Sequence, residues 1–102
     1  MSGSGRTYLE ECAHAIRQLH ACNCSHVRTV AVSEVFRGKV IWSGDVEVFD
    51  LTGHAKAKRA YAWGYPGTNN TGWEIVTVLE IPPVDSPQTA VKIAIASHGS
   101  SL

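Results

Sequence analysis

Four segments between residues 27 and 81 have the composition and period of β-strands, and this pattern constrains the fold more than any other feature. β-branched, aromatic and polar side chains alternate along each segment, and clusters of turn-forming residues separate the segments. Strands joined by short turns pair with their neighbours in antiparallel fashion. We therefore predict an antiparallel sheet of about four strands, at residues 27–36, 39–51, 56–65 and 73–81. Gly44 interrupts the second of these, which predicts a β-bulge or a bend there.

Helical periodicity flanks the predicted sheet on both sides. Thr7 followed by Glu10 forms a capping box, and Ser86 before Pro87 is a second helix start, with Gly99 as the stop. The apolar stripe of the first helix comprises Leu9, Cys12, Ala13, Ile16 and Leu19. The sequence thus predicts an α+β fold in the order α-β-β-β-β-α.

We expect both helices to lie on one face of the sheet. Ala60 and Ala62 alternate with larger residues on the third strand, which predicts that these alanines lie beneath a helix. An antiparallel sheet covered on one side leaves its other face open. That face would carry the aromatic side chains of the third strand.

The chain has the size of one domain. With 102 residues, of which 44% are hydrophobic and 18% charged, it is too short for two separate cores. We expect a flexible segment at 1–5, a single domain at 6–99 and a tail at 100–102.

The net charge of the chain and its lack of targeting segments limit which partners and which cellular location are expected. Nine Lys plus Arg balance nine Asp plus Glu, so no net field attracts nucleic acid or an anionic membrane. No apolar run approaches the ~20 residues that span a bilayer, and no secretory pattern is present at the start. Three crowded cysteines are typical of a reducing compartment. The expectation is a cytoplasmic protein without a membrane partner or a cofactor.

One cluster near the end of the first helix has metal-ligating residue types at alternate positions. They are His20, Cys22, Cys24 and His26. Zinc sites usually separate paired cysteines by two to four residues, and alternate residues on a helix diverge by about 200°. We therefore expect no stoichiometric zinc, with Cys12 in the core and Cys22 or Cys24 near the helix end.

A second cluster combines basic and aromatic side chains on and before the third strand. Its members are His54, Lys56, Lys58, Arg59, Tyr61, Trp63 and Tyr65. Cations for phosphates and rings for base stacking are what a nucleic-acid groove uses. The alternative is that the lysines are solvated strand charges and that the rings fill the core.

Acid–base candidates lie around the turn after the second strand. Asp50 and His54 bracket this turn, and a carboxylate beside a histidine can orient its ring for general base chemistry. Other acids within reach of such a site are Asp45, Glu47 and Glu74. The chain has no nucleophile or cofactor motif, and residues that bracket a turn often only fix its backbone.

Two resemblances bear on the fold. The stretch VEVFDLTGHAKAKRAYAW at 46–63, with Pro83-Val84-Asp85-Ser86-Pro87 and Ala90-Val91, resembles a group of small bacterial proteins without an assigned function. That resemblance covers residues 42–95 and implies a bacterial, cytoplasmic origin.

The order of helices and strands is also similar to that of the double-stranded RNA-binding domain. That family carries lysines at the start of its last helix, where this chain has Ser86-Pro87-Gln88-Thr89. The departure falls on the part of the domain that binds RNA.

The leading hypothesis is a small non-catalytic binding or assembly module that acts through its sheet face or edge, as a homodimer or with a protein partner. The alternatives are a nucleic-acid-binding domain that uses segment 54–59, and a ligand-binding or enzymatic domain centred on His54.

Overall fold

The computed structural model describes residues 7–66 and 73–99, and it confirms the predicted order of elements. The elements are α1 (Tyr8–His20), β1 (Asn23–Phe36), β2 (Lys39–Thr52), β3 (Arg59–Pro66), β4 (Trp73–Leu79) and α2 (Pro87–Gly99). All neighbouring strands pair in antiparallel fashion. The fold is α+β, as predicted. The segments expected to flank the domain, 1–5 and 100–102, lie outside the described residues.

The sheet has the order β1-β2-β3-β4, so that β1 and β4 form its two edges. β1 and β2 pair along their whole length, from Asn23 opposite Thr52 to Phe36 opposite Lys39. β3 pairs with β2 only over Glu47–Asp50. The β1–β2 hairpin therefore extends beyond the four-stranded part of the sheet. Its turn has positive φ at Arg37 and Gly38, 54° and 78°, as the turns that match the strand twist require.

The two helices cover opposite faces of the sheet, so the expectation of one covered face is wrong. Cys12 and Ile16 of α1 pack with Ala60 and Ala62, whereas α2 packs with the residues next to them along β3. Successive residues of a strand point to opposite faces. The prediction that the alanines lie beneath a helix is confirmed, and that helix is α1.

The physical reason is that β2 and β3 carry apolar side chains at both parities. Val48 and Tyr61 belong to the core beneath α2, and Phe49 belongs to the core beneath α1. Strands buried on both faces need cover on both sides.

Gly44 does not form the predicted bulge and lies opposite Val32 in regular pairing. The residues without a cross-strand partner are Val27 of β1 and Ile41 of β2, at the two register shifts. A Cβ on Gly44 would come within 3.1 Å of the Trp42 indole. Trp42 in turn packs edge-on against Trp63, with ring centroids 5.8 Å apart. Glycine at 44 therefore provides room for the indole of Trp42.

The predicted helix starts are confirmed. The Thr7 hydroxyl accepts from the Glu10 amide at 3.1 Å, and the Glu10 carboxylate accepts from the Thr7 amide at 2.7 Å. The Ser86 hydroxyl accepts from the Thr89 amide at 3.2 Å. α1 ends at His20, because the next residue, Ala21, adopts the left-handed conformation. Neither helix of the described ranges is long and apolar enough to cross a membrane.

Candidate functional site

Two of the three aromatic residues predicted to form an open face are buried. Tyr61 is 1% exposed and Trp63 is 4% exposed, both in the core beneath α2. Tyr65 lies in β3 opposite Glu74, and its side chain is outside the described part of the chain. The sheet face therefore does not offer the rings of Tyr61 and Trp63 to a partner. A charged residue at Trp63 would test core packing rather than association.

The basic residues of the same cluster lie apart from the buried rings. Lys56 and Lys58 are exposed. Arg59 donates from Nε and Nη2 to the Asp50 carboxylate at 3.3 and 3.2 Å. Base stacking beside phosphate contacts requires exposed rings next to the cations, and Tyr61 and Trp63 are buried.

His54 shapes the turn between β2 and β3. Its Nδ1 accepts from the backbone amides of Lys56 and Ala57, at 3.1 and 2.9 Å. Asp50 pairs with Arg59 instead of with this ring. His54 thus holds the backbone of the turn, and Asp50 pairs with Arg59 beside it. This arrangement matches the structural alternative to a catalytic role.

The four residues of the metal hypothesis have different surroundings. His20 Nε2 lies 2.8 Å from the Thr77 hydroxyl, and burial, together with His54, lowers the pKa of His20. Cys22 is buried, and Cys24 donates to the carbonyl of residue 13 at 3.6 Å. In the part of the chain that the structure describes, no three His, Cys, Asp or Glu side chains are arranged to hold an ion. The placement of Cys12 in the core is confirmed.

The structure joins two candidates that the sequence placed in separate clusters. His26 Nε2 lies 2.9 Å from the carboxylate of Glu47, which also accepts from the Thr29 hydroxyl. The Glu47 side chain is 5% exposed and that of His26 is 29% exposed. A buried carboxylate can orient a partly exposed imidazole, which is half of a general base arrangement.

One depression in the surface is lined by residues other than this pair. Its volume is about 370 Å³, and it is open to solvent. The residues that line it are Arg17, Ala21, Cys22, Asn23, Thr52 and Gly53. His26 and Glu47 are not among them. The hydrogen bonds with His26 and Thr29 satisfy the buried Glu47 carboxylate, which is the usual arrangement of a buried acid.

The outer edge of β1 is the feature that the sequence did not single out. β1 is 14 residues long and pairs with β2 on one side, and no strand in residues 7–66 and 73–99 pairs with its other side. β1 contains neither Lys nor Pro, the residues that natural edge strands use to prevent further pairing. Val27 and Val35 on this strand are 42% and 58% exposed. Gln88 of α2 donates to one β1 carbonyl, that of Ser33, at 2.9 Å.

The end of the hairpin adds a second exposed apolar group. It consists of Val35, Phe36, Val40 and Ile41, which are 58%, 58%, 62% and 49% exposed. Val35 and Val40 face each other across the strands, and the Arg37 guanidinium lies over the Phe36 ring, 5.2 Å from its centroid. Exposed apolar side chains gathered in one place mark interaction surfaces.

Comparison with known proteins adds no evidence on function, so the proposal below is based on these surfaces. No protein-family model matches the chain, and no curated protein or solved structure matches it either. The fold and the site together define a small α+β domain whose sheet is covered on both faces and open along β1.

Proposed function

We propose that this protein is a small non-catalytic binding or assembly module that forms a homodimer through the open edge of β1. The hypothesis drawn from the sequence named the sheet face or the sheet edge. α1 and α2 cover the two faces, which leaves the edge. The observation that carries the proposal is the 14-residue length of an edge strand without Lys or Pro.

The energetic argument concerns the backbone of β1. An edge strand presents a row of amide and carbonyl groups without strand partners. Gln88 occupies the Ser33 carbonyl of this row, and a second strand would satisfy the other groups directly. Val27 and Val35 would lose water contact in the same step. A second copy is the simplest partner, because two-fold homodimers are the commonest closed assemblies.

The alternatives lack a comparable arrangement. The exposed lysines of segment 54–59 have no exposed ring of the described residues beside them, because Tyr61 and Trp63 are buried. His54 accepts two backbone hydrogen bonds at its turn, which supports a structural role. We therefore propose neither nucleic-acid binding nor catalysis as the function.

The cellular setting belongs to the same proposal. Cys12, Cys22 and Cys24 are free thiols, which supports a reducing cytoplasm. The bacterial origin implied by the resemblance stays a prediction.

The test is the association state of a variant with a blocked edge. Ala31 is exposed in the middle of β1, and Ala31→Lys places a charge where a second strand would pair. We expect the dissociation constant of the dimer to rise at least tenfold, which corresponds to a loss of about 1.4 kcal/mol in the free energy of dimerisation. Sedimentation equilibrium or light scattering measures this change.

The matched control is Ala55→Lys, the same change at an exposed residue outside the sheet. It should leave association unchanged. A wild-type chain that stays monomeric at several hundred micromolar would contradict the proposal.

A further inference from the structure

The central part of β1 has the same chemical pattern in both directions from Ala31. The positions at equal distance on its two sides are Val30 and Val32, Thr29 and Ser33, Arg28 and Glu34, and Val27 and Val35. They form an aliphatic pair, a hydroxyl pair, a pair of opposite charge and a second aliphatic pair. In a symmetric antiparallel pairing, residues at equal distance from the axis lie opposite each other.

We propose that two copies pair β1 with β1 in antiparallel fashion about a two-fold axis at Ala31. This inference rests on the proposed homodimer and specifies its register. It joins the two four-stranded sheets into one continuous sheet with α1 of both copies on one face and α2 of both copies on the other. Val27 lies at a register shift, so the regular pairing covers residues 28–34.

The α2 side of the pairing brings together apolar and oppositely charged groups. Val32 is 5% exposed in the core beneath α2, and Val30 packs against that core. Pairing Val30 with Val32 of the second copy makes the two cores continuous across the axis. Arg28 is exposed and comes opposite Glu34, whose buried carboxylate already lies 3.5 Å from Lys92 Nζ.

The α1 side carries small exposed residues in this part of β1. Thr29, Ala31 and Ser33 are all exposed, so two strands can approach there without displacing a large side chain. Hydroxyl-bearing residues directly opposite each other also hydrogen-bond across strands. The chemistry on both faces therefore favours the same axis.

Neighbouring registers lose this match. Moving the axis to Val30 places Arg28 opposite the buried Val32, and moving it to Val32 places Glu34 opposite Val30. A slip by one residue would bring the α1 face of one copy beside the α2 face of the other, because the side-chain period is two. Ala31 is thus the axis that the side chains select.

The test is oxidative cross-linking of single-cysteine additions to the whole chain. Cα atoms of directly opposed strand residues lie about 4.5–5.5 Å apart, within the range of a disulfide. We expect Ala31→Cys to form an intermolecular disulfide in high yield. The parental chain measures the background from its three native cysteines.

Two further variants identify the register independently. Ser33→Cys alone should not cross-link, because its two copies would lie roughly 13 Å apart along the strands. An equimolar mixture of Thr29→Cys and Ser33→Cys should instead give a heterodimeric disulfide. All three sites are exposed. Thr29→Cys removes the hydroxyl that donates to Glu47, so circular dichroism of this variant checks that it keeps the fold.

The outcomes separate the two proposals. A dimer by light scattering in which Val40→Cys cross-links, and neither Ala31→Cys nor the mixed pair does, would overturn the register and keep a homodimer, formed through the hairpin end. A chain that remains monomeric and forms none of these disulfides would overturn both the register and the homodimer.

Discussion

The three thiols show how placement decides the chemistry of a single residue type. Cys12 is fully buried on the side of α1 that faces the sheet, whereas Cys24 is only half-buried at the start of β1. Burial raises the pKa of Cys12 to about 11, and the hydrogen bond with Tyr8 opposes this only in part. Burial also raises the pKa of Cys24, and the positive charge of Arg17 opposes it. Since the thiolate is the reactive form, the two residues differ in both access and ionisation.

We predict that Cys12 resists modification in the folded protein. At pH 8, a thiol reagent should label Cys24 well before Cys12, whose labelling should follow global unfolding. Mass spectrometry of a labelling time course measures the order. Cys24→Ser should remove the fast phase and leave the Cys12 rate unchanged. Equal labelling rates for Cys12 and Cys24 in the folded protein would show that Cys12 is not in the core.

Helix α1 shows what a local sequence pattern contributes to one element. Thr7 and Glu10 satisfy each other's backbone amides across three residues, so this cap is specified by the local sequence. The face that α1 covers is a different matter. It depends on which strand residues point toward the helix, and thus on the pairing of the whole sheet.

We predict that Thr7→Ala lowers the free energy of unfolding by about 0.5–2 kcal/mol without changing the fold. The reason is that the Glu10 amide loses its acceptor at the first turn. Urea denaturation followed by circular dichroism measures the change. Thr7→Ser keeps the hydroxyl and should retain most of the stability. An unchanged midpoint in Thr7→Ala would show that the capping box does not stabilise α1.

The sequence predicts local features of this fold and misses features that depend on register. Elements and helix caps follow from patterns within a few residues, as Thr7 and Glu10 illustrate. The contact of His26 with Glu47 joins residues 21 apart and depends on a register shift at Val27 that no local pattern announces. Gly44 predicted a bulge in the sequence, but in the structure it provides room for the Trp42 side chain. That role depends on side-chain packing, which the local sequence does not show.

The sequence suggested a sheet edge as an interface but did not identify its strand, for a similar reason. β1 and β2 both read as strands, and strand order decides which of them has an unpaired side. The order β1-β2-β3-β4 leaves β1 at an edge, whereas β2 is paired on both sides over Glu47–Asp50. The symmetric pattern around Ala31 is visible in the sequence. It gains meaning only once β1 is known to be an edge strand.

At the scale of the whole molecule, dimerisation and stability are coupled. A second copy that binds the folded chain and not the unfolded chain stabilises the fold by mass action. Small domains bury a limited fraction of their surface, so pairing two open edges adds buried area that one copy lacks. The proposed pairing also adds strand-to-strand hydrogen bonds without changing either four-stranded sheet.

We therefore predict that the midpoint of thermal unfolding rises with protein concentration. Between about 5 and 500 micromolar, the wild-type midpoint should increase by a few degrees, because the linked dissociation equilibrium shifts toward the dimer. Differential scanning calorimetry measures this directly. Ala31→Lys should show a midpoint independent of concentration, and Ala55→Lys should behave like the wild type. A flat wild-type midpoint over this range would mean that folding gains nothing from a second copy, and the open edge of β1 would then need another partner.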